Sequence, residues 1–253
     1  MNPNFNPDLP EEGPSVEGLA TSLNARPIYL LADSQLLFWG EGGESFLHTV
    51  RRQLDHPSPK AAYLGASNGD NPEFYEIFVA AMDGIAVFDT RMIPSDPSRE
   101  DRAYLDDADL VLLAGGDVER GWNVFESTGL KDAIVQRYYA GAVLMGVSAG
   151  AVQLGLAGWP EGAPVTRENL VDTLKLIPHV VDAHAEREEW ERLRTAVGLM
   201  GESVQGFGIP SGGGMIYHPD HSIEAVRHPL HEISLRDGKA VRSLLFPTVE
   251  KSS

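Results

Sequence analysis

Short apolar runs alternate along the chain with longer stretches in which apolar residues recur every three or four positions. Each apolar run predicts a short buried strand. The runs lie at 27–32, 62–66, 85–88, 110–114 and 142–147. Between them, helical spacing predicts helices at 44–54, 73–82 and 130–140. Continuous apolar strands that alternate with amphipathic helices indicate an α/β protein whose parallel sheet is covered on both faces.

The two ends of the chain follow different patterns. Residues 1–24 are rich in Pro, Asn and Glu, which predicts a flexible N-terminal segment. A long amphipathic stretch at 186–200 predicts a further helix. After residue 214, short apolar runs separated by turn-forming residues predict short C-terminal β-hairpins. We therefore expect a single α/β domain at 25–253, preceded by the flexible segment.

Composition and charge narrow the range of functions. The formal net charge of −17 disfavours binding to phosphate backbones, so we expect no nucleic-acid partner. The absence of cysteine excludes disulfides, thiolate catalysis and cysteine-ligated zinc. No apolar stretch approaches the roughly 20 residues that span a membrane, and the N-terminus does not resemble a secretory signal. We therefore expect a cytoplasmic protein with no membrane partner.

The most informative segment is 146–150, Gly-Val-Ser-Ala-Gly, which directly follows a predicted strand. A serine at a sharp strand-to-helix turn adopts strained backbone angles, and glycines two residues to either side remove the clashes that bulkier residues would cause. Such a turn exposes the serine oxygen above the carboxyl end of the sheet. We predict that Ser148 is a catalytic nucleophile; a structural Gly-Ser turn is the alternative.

A second turn with glycines, Ala-Gly-Gly-Asp at 114–117, also follows a predicted buried strand. Backbone N–H groups at such a turn can approach a ligand oxygen closely. We predict an oxyanion hole formed by the N–H of Ala149 together with that of Gly116 or Asp117. An ordinary strand-to-loop turn is the alternative for 114–117.

A serine needs a neighbouring general base to act as a nucleophile at neutral pH. His184 ends an apolar run that begins at His179, and it precedes a predicted helix. It would thus lie at the carboxyl edge, where the sites of parallel α/β proteins collect. We predict His184 as the base, with His179 as the alternative. His218 and His221 flank a predicted turn, and we interpret them as surface residues rather than metal ligands.

The serine segment, the glycine turn before it and the Asp-Ala-His segment at 182–184 together resemble peptidase family S51, which includes peptidase E and cyanophycinase. The resemblance extends over about 29–226 and is strongest at 110–193. It implies an α/β fold of the class I glutamine amidotransferase-like type, a parallel-sheet sandwich. In the family the histidine follows a Leu-x-x-x-Pro stretch, which is matched here at 174–178 and favours His184.

The resemblance also implies a third triad member and a substrate-binding arginine. Peptidase E has an aspartate shortly after the serine helix, where this chain has only Glu161, so we predict a triad of Ser148, His184 and Glu161. The fallback carboxylates are Glu168 and Asp172. In peptidase E an arginine after the histidine binds the acidic side chain of the substrate. Arg187 resembles this arginine.

Two departures from the family affect specificity. The loop between the histidine and that arginine is much shorter here, and a glutamate that follows a later Gly-rich strand in relatives is replaced by Ser211. Both departures argue against a strict requirement for N-terminal aspartate. The resemblance nevertheless implies a serine-type dipeptidase acting on short peptides, without a metal or organic cofactor, and in some relatives a homodimer.

Three other functions remain open on the sequence. A cyanophycinase-like β-aspartyl peptidase is the nearest, although its second arginine-containing pattern is only half present. An α/β-hydrolase esterase would place its histidine later, at His228 or His231. A ligand-binding protein on the same fold is the non-enzymatic alternative.

Overall fold

The computed structural model describes residues 24–248, so residues 1–23 of the predicted flexible segment lie outside the described part. Two short 3₁₀ turns occur, at Ser34–Phe38 and Ala66–Asn68. The α-helices are α1 (Phe46–Arg51), α2 (Pro72–Asp83), α3 (Arg99–Asp107), α4 (Val118–Thr128), α5 (Leu130–Tyr139), α6 (Ala149–Leu154) and α7 (Glu191–Met200). None of these helices is long and apolar enough to cross a membrane.

The strands form two main sheets and two short ribbons. In chain order they are β1 (Ile28–Leu31), β2 (Gly40–Glu41), β3 (Glu44–Ser45), β4 (Lys60–Leu64), β5 (Asp89–Ile93), β6 (Leu110–Leu113), β7 (Val143–Val147), β8 (Ala157–Gly158), β9 (Val171–Asp172), β10 (Val180–Ala183), β11 (Gly206–Ile209), β12 (Gly214–Tyr217), β13 (Ile223–Val226), β14 (Leu230–Arg236) and β15 (Lys239–Leu245). The ribbons pair β2 with β3 and β8 with β9.

The larger sheet has the strand order β13-β12-β1-β7-β6-β4-β5. Its strands β1, β7, β6, β4 and β5 run parallel, whereas β12 and β13 are antiparallel additions at one edge. The carboxyl ends of the parallel strands therefore meet along one edge of the sheet. This arrangement confirms the predicted helix-covered parallel sheet.

Alternate residues of the parallel strands point to opposite faces, and each face has its own apolar core. Helices α1 and α2 cover one face, and α3 to α6 cover the other. Side chains of the first core include Tyr29, Leu31, Tyr63, Phe46, Val50, Phe78 and Met82. Side chains of the second include Leu30, Leu64, Leu113, Leu105, Trp122, Phe125, Ile134 and Leu154. Burial on both faces explains why these strands are almost continuously apolar.

The smaller sheet has the order β10-β11-β14-β15 and packs against α7. Trp190, Leu193 and Val197 from the α7 region lie against Val180 of β10 and Ile233 of β14. Strands β10 and β11 run parallel, so their carboxyl ends also lie together. The smaller sheet thus carries a second edge on which functional residues can be placed.

Two predicted elements differ from the structure, and one strand was not predicted. The strand predicted at 85–88 is instead β5 at Asp89–Ile93, because Ile85 and Val87 are buried in the turn that ends α2. Strand β5 pairs only with β4 at the sheet edge, so it tolerates polar residues and has no apolar signature. The helix predicted at 186–200 begins only at Glu191, after turns, and β14 was not predicted.

Close backbone packing determines the shape of the strand-to-helix turn between β7 and α6. A Cβ atom on Gly146 would lie 2.6 Å from the carbonyl carbon of Gly150. A Cβ atom on Gly150 would overlap the carbonyl oxygen of Leu113, at the end of β6. Both glycines are therefore required because backbone approaches backbone there, as the sequence predicted.

We expect the Gly150→Ala variant to lose about 1–3 kcal/mol of unfolding free energy, because the added methyl group forces α6 away from β6. The matched control is Gly198→Ala in α7, where a Cβ atom would meet nothing within 4 Å. That variant should gain about 0.5–1 kcal/mol from helix propensity. Urea denaturation of both variants measures the difference; equal effects would contradict the packing argument.

Candidate active site

Ser148 lies at the turn between β7 and α6 with strained backbone angles, φ 50° and ψ −110°. Its amide N–H donates to the carbonyl oxygen of Leu31 at 2.9 Å, and its own carbonyl accepts from the N–H groups of Ala151 and Val152. These hydrogen bonds tie the turn both to β1 and to α6. A strained residue held in this way by its surroundings is typical of functional sites.

His184 directly follows β10 of the smaller sheet and also has a positive φ, of 46°. Its amide donates to the carbonyl oxygen of Ile209 at 2.9 Å, which fixes it to the end of β11. The Oγ atom of Ser148 lies 2.7 Å from Nε2 of His184, within hydrogen-bond distance. The carboxyl edges of the two sheets therefore meet at a serine–histidine pair.

His179, the alternative base, lies at the opposite end of β10. Its ring packs edge-on against Phe207 and Tyr217, with centroid distances of 5.0 and 6.3 Å. Burial lowers the pKa of His179 below its ordinary value, and it lines neither cavity beside Ser148. Its position therefore suits packing between the sheets rather than proton transfer at the serine.

The predicted oxyanion donors are not equivalent. The N–H of Asp117 already donates to the carbonyl oxygen of Ser67 at 2.8 Å, and its carboxylate caps α4 by accepting from Arg120. Within residues 24–248, the N–H groups of Gly116 and Ala149 have no acceptor. Of the two residues predicted in the 114–117 turn, only Gly116 therefore offers a free donor.

Within the described residues, none of the carboxylates predicted as the third triad member is hydrogen-bonded to His184. Glu161 is exposed and lines a cavity together with His184, but the described side chains include no hydrogen bond between the two. Asp172 pairs with Lys175 at 2.8 Å, and Glu168 is exposed. Glu161 is therefore the only one of the three that shares a cavity with His184.

Glu186, which the sequence reasoning missed, lies two residues after His184. Its Oε1 atom accepts from the N–H of Ser211 at 3.3 Å, and its Oε2 atom is buried without a partner among the described residues. Burial alone would raise the pKa of Glu186, but hydrogen bonds from Ser211 and the charge of His184 bring the pKa below its ordinary value. A carboxylate held by Ser211 thus lies near the histidine.

Asp182 is a second missed carboxylate and belongs to the buried strand β10. Burial raises its pKa from 3.8 to about 6, although a hydrogen bond from Ala183 and the charges of Arg192 and His184 oppose that effect. Its Oδ2 atom has no hydrogen-bond partner in the described part of the chain. A carboxylate interrupting an apolar strand just before His184 is a signal that the sequence did contain.

Arg187, predicted to bind the substrate, and Arg192 differ in their position relative to the cavities beside Ser148. Arg187 is exposed and lines neither cavity beside Ser148. Arg192 is partly buried, lies over the ring of Trp159 at 5.5 Å and donates to the carbonyl oxygen of Pro160. It comes from the first turn of α7 and lines the smaller cavity, as Ser148 does.

Two cavities flank the serine–histidine pair, and both are lined by Ser148, His184 and Gly116. The larger, which we call the apolar cavity, has a volume of about 270 Å³. Its lining is formed by Ala32, Asp33, Ser34, Leu37, Tyr63, Asn68, Phe74, Ile77, Phe78, Leu112, Ala114, Gly115 and Val147 besides those three residues. The smaller, which we call the charged cavity, has about 100 Å³ and includes Trp159, Glu161, Asp182 and Arg192.

The described residues contain no cluster of three or more His, Cys, Asp or Glu side chains that could hold a metal ion. His218 bonds to Glu224 at 3.2 Å, and His221 bonds to the hydroxyl of Tyr217 at 2.5 Å. Each of these histidines thus has a partner of its own in the β12–β13 hairpin region.

Comparison with known proteins identifies the family and the fold. The family model described as Peptidase family S51 matches residues 40–225. A peptidase from an acI-B1 Actinobacterium has a similar structure, with a TM-score of 0.62 and 15% identity over 87% of this chain and 97% of that one. A putative peptidase E protein from Listeria monocytogenes EGD-e has a TM-score of 0.55 and 14% identity over 87% and 98%. No curated protein sequence matches significantly.

These two structures show the fold, a mixed α/β architecture with a central, mostly parallel sheet. It is the class I glutamine amidotransferase-like type that the family resemblance implied.

The raised pKa of Asp182 predicts a pH-dependent effect of the Asp182→Asn variant. Above about pH 6 the folded wild type must keep a buried negative charge at Asp182, whereas near pH 4 this carboxyl group is neutral. The free-energy cost of burying the charge therefore grows as pH rises, and it destabilises the wild type but not the variant. Between pH 4 and pH 7 the unfolding free energy of the variant should gain about 2 kcal/mol relative to the wild type, because the unfolded-state carboxyl is already partly ionised at pH 4. Denaturant titrations at both pH values measure this gain; a pH-independent difference would contradict it.

Proposed function

The chain belongs to peptidase family S51, and from this premise we propose that it is a serine peptidase that hydrolyses short peptides, with dipeptides as substrates. The observation that carries the proposal is the 2.7 Å approach of Ser148 Oγ to His184 Nε2. A nucleophile within hydrogen-bond reach of a base is the arrangement that acyl transfer by a serine requires.

In the proposed reaction Ser148 attacks the carbonyl carbon of the peptide bond, while Nε2 of His184 accepts the proton from Oγ. The peptide C–N bond then breaks, and His184 returns the proton to the leaving amine. Water, deprotonated by His184, hydrolyses the acyl-serine ester and regenerates the hydroxyl. The two products are the acyl half with a free carboxylate and the leaving half with a free amine.

The negative charge of the tetrahedral intermediate needs donors that are already in place. We propose that the free N–H groups of Gly116 and Ala149 provide them, because both flank Ser148 and neither has an acceptor in residues 24–248. A Cβ atom on the neighbouring Gly115 would lie 3.3 Å from Cβ of Ser148, so the 114–117 turn is close to the attacking group. The N–H of Asp117 is not available for this role, because it donates to the carbonyl oxygen of Ser67.

A carboxylate must orient His184 and stabilise its protonated form. Glu161 remains a candidate because it shares the charged cavity with His184. Glu186 is the competing candidate, since Ser211 anchors its carboxylate and the charge of His184 influences its pKa. We propose that Glu186 fills this role when His184 is protonated, which would give the buried Oε2 atom a partner.

Substrate binding by Arg187 also stays a proposal. Because its guanidinium is exposed and lines neither cavity, it could bind a substrate carboxylate only on a part of the peptide that extends beyond them. This position supports relaxed specificity rather than a strict requirement for aspartate. No step of the proposed reaction needs a metal or organic cofactor.

Replacing the nucleophile tests the proposal directly. We expect wild-type protein to cleave dipeptides and to be labelled by a fluorophosphonate probe, whereas Ser148→Ala should lose labelling and about 10³-fold or more in kcat. Labelling is followed by mass spectrometry, and hydrolysis by the release of amine. A wild type that is neither labelled nor active would favour the ligand-binding alternative, and activity on esters alone would favour an esterase.

Two matched variants identify the orienting carboxylate. If Glu186 orients His184, Glu186→Gln should lower kcat by about 10²–10⁴-fold with little change in KM, and Glu161→Gln should retain near-normal turnover. The pH profile of kcat should shift only in the variant that loses the orienting group, since the charge beside the imidazole is removed there. The reverse pattern would assign the role to Glu161.

A further inference from the structure

We propose that the apolar cavity binds an apolar side chain of the residue whose carbonyl Ser148 attacks, so that the preferred dipeptides begin with residues such as leucine or phenylalanine. This inference rests on the proposed peptidase function and specifies its substrate class. It starts from the position of the cavity, which is lined by Ser148 and His184 themselves. A side chain adjacent to the attacked bond must therefore enter it or the charged cavity.

The lining of the apolar cavity is mainly hydrocarbon. Helix α2 contributes Phe74, Ile77 and Phe78, which share one helix face because they lie three and four positions apart. Leu37 and Val147 contribute further aliphatic surface. An apolar ligand side chain would be removed from water against this surface, and that removal favours binding.

Positive charge is missing from this cavity, which argues against an acidic side chain. No lysine or arginine occurs among the described residues that line it. Asp33 is the charged group there, and its carboxylate already accepts from the N–H groups of Gly212 at 2.7 Å and Gln35 at 2.9 Å. An aspartate side chain would be desolvated beside a like charge, with no cation to compensate.

Two further polar side chains of the cavity, those of Asn68 and Tyr63, are paired with each other. The side-chain amide of Asn68 donates to the hydroxyl of Tyr63 at 2.7 Å, and its oxygen accepts from the N–H of Asn71 at 3.1 Å. These two side chains are thus largely occupied, which again favours a hydrocarbon side chain in that part of the cavity. The volume of about 270 Å³ is suited to one large side chain rather than to a long peptide.

Charge complementarity indicates which half of a dipeptide occupies which cavity. A dipeptide is positive at its N-terminal residue and negative at its C-terminal carboxylate. The apolar cavity contains the carboxylate of Asp33, whereas the charged cavity contains the guanidinium of Arg192, accompanied by Asp182 and Glu161. Since an arginine suits a carboxylate ligand, the leaving half belongs in the charged cavity and the N-terminal residue in the apolar one.

Hydrolysis of two dipeptide series tests the inference. The first varies the N-terminal residue, as Leu-Ala, Phe-Ala, Ala-Ala, Asp-Ala and Lys-Ala; the second varies the C-terminal residue, as Ala-Leu, Ala-Phe and Ala-Asp. We expect kcat/KM for Leu-Ala and Phe-Ala to exceed that for Ala-Ala and Asp-Ala by at least about tenfold. Preference for Asp-Ala, or a wider spread in the second series, would overturn the proposal.

Phe74 and Phe88 provide a matched pair of variants. Both side chains are exposed, by 49% and 74%, but only Phe74 lines the apolar cavity. Phe74→Ala should lower kcat/KM for Phe-Ala relative to Ala-Ala by about three- to tenfold, and Phe74→Arg should raise the relative rate of Asp-Ala. Phe88→Ala should leave every ratio unchanged, and equal effects of the two alanine variants would contradict the assignment.

The experiment separates failure of this inference from failure of the proposed function. Protein that cleaves no dipeptide of either series and is not labelled at Ser148 by a fluorophosphonate would overturn both. Protein that cleaves dipeptides in a Ser148-dependent manner, without the apolar preference at the N-terminal residue, would overturn the inference alone. Ratios between substrates are insensitive to the active fraction of a preparation, so partial misfolding of a variant does not obscure the result.

Discussion

The approach of the β7–α6 turn to the backbone of β6 is the constraint on which the rest of the site depends. Because a Cβ atom on Gly150 would overlap the carbonyl oxygen of Leu113, α6 can start directly on the sheet only with glycine there. That close packing, with the hydrogen bond from Ser148 to Leu31, holds the serine at φ 50°. Contacts with two strands, β1 and β6, therefore hold Ser148 in its strained backbone conformation.

The second half of the site depends on how the smaller sheet meets the larger one. His184 and Ser148 come from strands of different sheets, and each is fixed by its own backbone hydrogen bond at a carboxyl edge. Charged groups then surround the histidine: Asp182 inside β10, Glu186 just beyond it and Arg192 from α7. The site thus combines groups from both sheets and from α7.

The sequence predicted the features that depend on local pattern or backbone sterics. The apolar strands, the glycines around Ser148 and the carboxyl-edge position of His184 all follow from short segments of chain. It did not predict the edge strand β5, because a strand paired on one side needs no apolar run. Glu186 and Arg192 were missed because their positions depend on turns at 186–190 that interrupt the predicted helix. Side chains placed by such irregular turns have no periodic signature.

The contact between Glu186 and Ser211 illustrates how two strand ends can hold a carboxylate beside the site. Glu186 follows β10 and His184 by a short segment, and the backbone N–H of Ser211, just after β11, donates to its carboxylate at 3.3 Å. Because β10 and β11 run parallel, the segments that follow them leave the smaller sheet at the same edge. A side chain from one segment can therefore accept a hydrogen bond from the backbone of the other, and this contact holds Glu186 two residues from His184.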